Sequence, residues 1–89
     1  MAHILATLRN VNVTEIAKML KDHMPLHKKQ DLHLEHIWQN DEEPTEVLFL
    51  FRTTDLKKAK KFINDTHVQA RKQDPNANLP KMIFLEEKD

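Results

Sequence analysis

Two groups of side chains have the types and spacing for chemistry. His23 and His27 stand four apart in a stretch of helical periodicity, a spacing at which two imidazoles can reach one ligand or one metal ion. His36 and Trp38 alternate within DLHLEHIWQ (31–39), on the side of Leu32 and Leu34 if the alternation runs unbroken. His23, His27, His36 and Trp38 would then set polar and aromatic groups against an otherwise apolar layer. A metal site there would take His36 as third ligand, but no acidic residue stands clearly on that face, and we expect no metal. An organic ligand held by His23, His36 and Trp38 is the functional reading. The plainer one makes the histidines hydrogen-bonded structural groups and Trp38 part of the core. The second group is Arg52 with His33, Glu35 and Glu86, which converge only if the strands are ordered as argued below.

Composition narrows the chemistry. The 89 residues are read as one domain, 1–89, small enough that a second subunit is a natural source of extra core. Fourteen basic residues balance fourteen acidic ones, which is not the footprint of a nucleic-acid binder. There is no cysteine, serine, tyrosine or glycine. Thiolate metal sites, serine triads and glycine-rich phosphate loops are thereby excluded, and left-handed turn positions fall to Asn and Asp. No apolar run approaches a membrane span or forms a signal peptide, so the expected location is the cytoplasm, with no membrane partner and no cofactor.

The elements that must position these side chains show best at Val47–Ile63, VLFLFRTTDLKKAKKFI, a buried strand running through a polar cap into an amphipathic helix. Ile4–Leu20 echoes it 43 positions earlier, with Arg9 on Arg52, Asn12 on Asp55 and Met19-Leu20 on Phe62-Ile63. The expected elements are a strand over 3–11 and a helix capped by Asn12 that Pro25 kinks or restarts. A strand over 31–39, a polar link at 40–44 and a strand over 46–53 follow. A helix capped by Thr54 or Asp55 then runs on, with a break at Asn64-Asp65-Thr66, and a last strand covers 81–87. The order βαββαβ is that of an α+β, ferredoxin-like fold: a four-stranded antiparallel sheet, order 4-1-3-2, with two helices on one face.

In that order Arg52, His33, Glu35 and Glu86 meet at one end of the helix-free face, and Arg9 lies at the other end. Arg52, His33 and Glu35 are the ligand candidates there, and the plainer reading is a cross-strand Arg52–Glu35 pair of roughly 0.2–1 kcal/mol. Lys57, Lys58, Lys60 and Lys61 fall on the solvated side of the second helix. The helix-side face is expected to carry Ile4, Ala6, Leu8, Leu32, Leu34, Val47, Phe49, Phe51, Ile83 and Leu85. Leu5, Thr7, Ile37, Leu48, Leu50, Met82 and Phe84 are expected on the open face. So apolar an open face predicts a homodimer packed sheet on sheet.

HMPLHKKQDL (23–32), IWQNDEEPTEVLFLF (37–51) leading into DLKKAKKFI (55–63), and LPKMIFLEE (79–87) together resemble small stand-alone members of the dimeric α+β-barrel superfamily, the group that includes antibiotic-biosynthesis-monooxygenase-like domains. The resemblance implies a homodimeric barrel with a small-molecule pocket between sheet and helices, and cofactor-independent oxygenase or haem-degrading activity in some members. The haem-degrading members use an Asn, a Trp late in the third strand and a His in the following helix. Here the third strand ends in Arg52, the tryptophan is in the second strand, and only His67 corresponds. Three readings stand open: a binder of a small organic molecule, a non-catalytic dimerisation module, and a monooxygenase-like or haem- or metal-binding enzyme.

Overall fold

The computed structural model describes residues 1–88. Its elements are β1 (Ala2–Leu8), α1 (Val13–Asp22), α2 (Met24–Lys29), β2 (His33–Gln39), β3 (Val47–Thr53), α3 (Leu56–Gln73) and β4 (Lys81–Glu86). The strands form one antiparallel sheet in the order β2-β3-β1-β4, the ferredoxin-like arrangement. The two halves of the internal echo supply the central strands β1 and β3. No helix among the described residues is long and apolar enough to cross a membrane.

Local chemistry sets the boundaries. The Asn12 carboxamide oxygen accepts from the backbone N–H of Thr14 at 2.8 Å and of Glu15 at 3.3 Å, satisfying two donors of the first turn of α1. Asp55 does the same for Lys58 at 3.1 Å, so it, not Thr54, caps α3. Pro25 restarts the helix: α1 ends at Asp22, His23 bridges, and Pro25 occupies the first turn of α2, where its missing N–H costs nothing. The left-handed positions go to Asn10, with φ 60°, and Asp31, with φ 58°. The break expected at Asn64-Asp65-Thr66 does not occur, and α3 runs unbroken to Gln73. The Thr66 hydroxyl donates to the carbonyl of Phe62 at 2.8 Å and Lys61 pairs with Asp65 at 3.1 Å, so both polar residues are absorbed within the helix.

The core joins both halves of the echo. Ile4, Ala6 and Leu8 of β1 and Val47, Phe49 and Phe51 of β3 are buried against Ile16 and Leu20 of α1, Ala59 and Ile63 of α3, and Leu32. Leu20 and Ile63 are the repeat partners expected to face inward.

Two outer strands depart from the expected faces. β2 pairs Leu34 with Phe51 but His36 with Leu50, so Glu35 is an extra residue, a β-bulge, and the strand changes side there. Ile37 is thereby turned to the helices opposite Phe49, and His36 and Trp38 to the open face. In β4, Met82 lies opposite Ala6 and Phe84 opposite Ile4, which puts them on the helix side. Ile83 and Leu85 are on the open face, each 41% exposed. Period-2 strands invert every side chain on a one-residue shift, and β4 is apolar on both sides, so its own sequence does not fix the choice.

Candidate functional site

Between the helices and the sheet lies a cavity of about 410 Å³, open to solvent on one side. Phe49 and Phe51 of β3 contribute its floor, Met19 and Leu20 of α1 and Phe62 and Ile63 of α3 its walls, and Leu79, Pro80 and Met82 the side next to β4. Its polar groups are His23, His27, Thr66, His67 and Asn78. The α1–α2 break brings two of them in. With His23 at the junction, His27 follows one turn later on α2, and the two rings meet edge to face with centroids 6.0 Å apart. The His27 ring also stands edge-on to Phe51 at 5.3 Å. His67 comes from α3, four residues after Ile63 and so on the same inward stripe.

Two of these imidazoles are pushed toward their neutral form. Burial holds His27 below the usual histidine pKa, and the neighbouring His23 adds to the shift. Burial also lowers His67, with the Arg71 guanidinium contributing. Both depressed values favour the folded state when the rings are neutral. That stability is fully present above the ordinary histidine pKa of about 6.5 and is lost as pH falls through the lower folded values. The Tm is therefore expected to fall between about pH 7.5 and about pH 5.5, and the His27→Gln/His67→Gln double variant to show a smaller drop. An equal drop in the variant would rule these two rings out as the cause.

The expected ligand residues do not form one group. Of His23, His36 and Trp38, only His23 lines the cavity, and it is an exposed residue. The bulge at Glu35 takes His36 and Trp38 to the other side of the sheet, where their rings stack at 5.0 Å and 21°. The set of His23, His27 and His36 is thus not assembled, and no group of three or more metal-ligating side chains occurs among the described residues.

The second group partly assembles. Arg52 Nε lies 3.6 Å from Glu35 Oε2, the cross-strand pair expected, with both side chains about a third exposed, where such pairs are worth at most about 1 kcal/mol. The same carboxylate meets His3 Nε2 at 3.0 Å. His33 is taken by Asp31, 2.9 Å away. Glu86 lies opposite Ala2, on the helix-side register, and pairs with Lys88 at 3.1 Å, and both it and Glu87 border the groove lined by His3, Leu50 and Leu85 at this end of the sheet. Arg9 sits at the far end on Glu46, at 3.0 Å. Lys57, Lys58, Lys60 and Lys61 of α3 are exposed, with Lys60 Nζ 5.3 Å from the ring centre of Phe84 and Lys61 on Asp65.

His3, Thr66 and Asn78 were not expected as site residues, and His67 entered only through the family resemblance. His67 carried a usable signal, its i+4 spacing from Ile63. Asn78 had none, because its place follows from how the 74–80 loop folds back: its amide Nδ2 donates to the Arg9 carbonyl at 2.7 Å.

No protein family matches the sequence, and no curated protein matches it. Among solved structures the fold is similar to that of an uncharacterized NIPSNAP domain protein from Burkholderia xenovorans, with a TM-score of 0.58 and 21% identity over 99% of this chain and 95% of that one. At that identity the likeness is one of fold.

Proposed function

We propose that this is a small homodimeric α+β-barrel protein, cytoplasmic, that binds a small organic molecule in the cavity between helices and sheet. The observation that carries the reading is the cavity itself. Its volume of about 410 Å³ falls in the range of small-molecule sites, and it combines an apolar lining with a few convergent polar groups.

The dimer is supported by the open face. Leu5, Leu48 and Leu50 lie there half-buried, beside Trp38 at 44% exposure and Ile83 and Leu85. Together they set six apolar side chains on one open face, alongside Thr7, His36, His3 and Arg52, and large exposed apolar patches are rare on monomers. The same surface favours the second reading, a dimerisation module whose cavity holds nothing.

Methionine methyl NMR separates the two. Met19 and Met82 line the cavity, whereas Met1 and Met24 do not. Titration with 2-naphthol is expected to shift the Met19 and Met82 methyl signals saturably and to leave Met24 in place. Unchanged Met19 and Met82 signals up to the solubility limit would favour the module.

A further inference from the structure

Resting on that reading of the cavity, we propose that its ligand is uncharged: an apolar chain or ring bearing a hydroxyl or carbonyl group, with carboxylates and phosphates rejected. The lining is the first ground. Of the chain as a whole 31% is Asp, Glu, Lys or Arg, yet none of these residues lines the cavity. An anion entering it would lose part of its hydration against an apolar lining and meet no fixed positive charge there, and desolvating an ion without a partner is unfavourable.

The second ground is the hydrogen-bonding capacity that remains unused. The Thr66 hydroxyl is committed to the carbonyl of Phe62 at 2.8 Å, and the Asn78 amide nitrogen to that of Arg9 at 2.7 Å. The groups left for a ligand are the carboxamide oxygen and second amide N–H of Asn78, the Thr66 oxygen as an acceptor, and the imidazole nitrogens of His23, His27 and His67. A neutral imidazole offers one donor and one acceptor. An amide oxygen only accepts. A hydroxyl group, which both donates and accepts, can satisfy either partner, and a carbonyl can take the imidazole N–H. A carboxylate can only accept, so it leaves the acceptors of the lining, the Asn78 and Thr66 oxygens and the lone-pair nitrogen of a neutral ring, without a donor. Burial disfavours protonation of both rings, so they supply no cation at neutral pH. Arg71, whose charge acts on the His67 ring, lies one turn beyond it on α3. It is exposed and does not line the cavity, so water screens it from a ligand inside.

The test is a matched pair of probes differing only in charge, 1-octanol and octanoate, each titrated at about pH 7.5 into protein labelled at the methionine methyls. Octanol is expected to shift the Met19 and Met82 signals to saturation, and octanoate to require at least about tenfold more for the same occupancy. Octanoate binding as tightly as octanol, or more tightly, would overturn the proposal while leaving the cavity as a binding site. If neither probe moves these two signals, the cavity reading and this proposal both fall. His67→Lys supplies a second arm, since it brings an amine into the lining. The ratio of octanol to octanoate affinity is expected to fall in this variant, and an unchanged ratio would show that lining charge does not set the preference.

Discussion

Replacing Leu50 by Glu is expected to turn the proposed dimer into a folded monomer. Leu50 lies in the middle of the helix-free face, opposite Leu5 on one side and His36 on the other. It is only half-buried in the single chain and is not among the buried core residues, so the monomer tolerates a polar side chain there. In a two-fold interface each substitution appears twice, and both carboxylates would be trapped in an apolar contact without partners. Weakening by a thousandfold or more, on the order of 4 kcal/mol, is the expected scale. Sedimentation at micromolar concentration should show a dimer for the parent protein and a monomer for Leu50→Glu, with similar far-ultraviolet circular dichroism. Lys57→Glu, on the solvated side of α3, should leave the dimer intact. Trp38, already 44% exposed in the single chain, gives an optical readout, because its emission should shift to the red as subunits part. A parent protein that sediments as a monomer, or a Leu50→Glu variant that stays dimeric, would remove this face as the interface.

How much of this was legible in the sequence depends on what fixes each feature. The central pair of strands could be read because their alternation is strict and their partners lie in the internal echo. Ile4, Ala6, Leu8, Val47, Phe49 and Phe51 are all buried, as the alternation required. The caps at Asn12 and Asp55 are equally local, since a short polar side chain and the N–H groups two or three residues ahead settle them. The antiparallel strand order also separated Arg9 from Arg52. The face of an outer strand is different, because it is decided by pairing across the sheet. In DLHLEHIWQ nothing but the three-residue step from Leu34 to Ile37 hints at the bulge. Reading the strand as unbroken put His36 and Trp38 on the helix side, and with them the expected ligand set. The cavity's real polar residues come from the His23 junction, the α3 stripe and the 74–80 loop. Only the first two leave a periodic trace.

Removing the Asp31 carboxylate is expected to cost more than any other single change at a polar residue of this fold. Asp31 turns the chain from α2 into β2 with a left-handed backbone, φ 58°, that Asn and Asp tolerate and Ala does not. From there one oxygen accepts the Thr54 N–H at 2.8 Å, the Thr54 hydroxyl, and the hydroxyl of fully buried Thr53 at 3.2 Å, while the other meets His33 at 2.9 Å. The side chain thereby ties the start of β2 to the end of β3, beside the Asp55 cap of α3. Asp31→Ala loses the turn and the acceptor together, and a fall in Tm of about 10 °C or more is expected. Asp31→Asn keeps the backbone conformation and part of the acceptor geometry, so it should lie between the two. The variants also separate by pH. Bonds from the Thr54 hydroxyl and N–H, then from His33 and Thr53, hold the Asp31 carboxyl well below the usual carboxylate range. Its folded pKa is depressed, so its stabilisation is fully present above the unfolded value of about 3.9 and is lost as pH falls below that. The gap in stability between the parent and Asp31→Asn should therefore be constant from about pH 7 down to about pH 5 and narrow as the pH drops through about 4 and below. Urea titrations across that range decide the matter, for a gap that held its full size in acid would mean that the charge of Asp31 contributes nothing and the turn alone is at work.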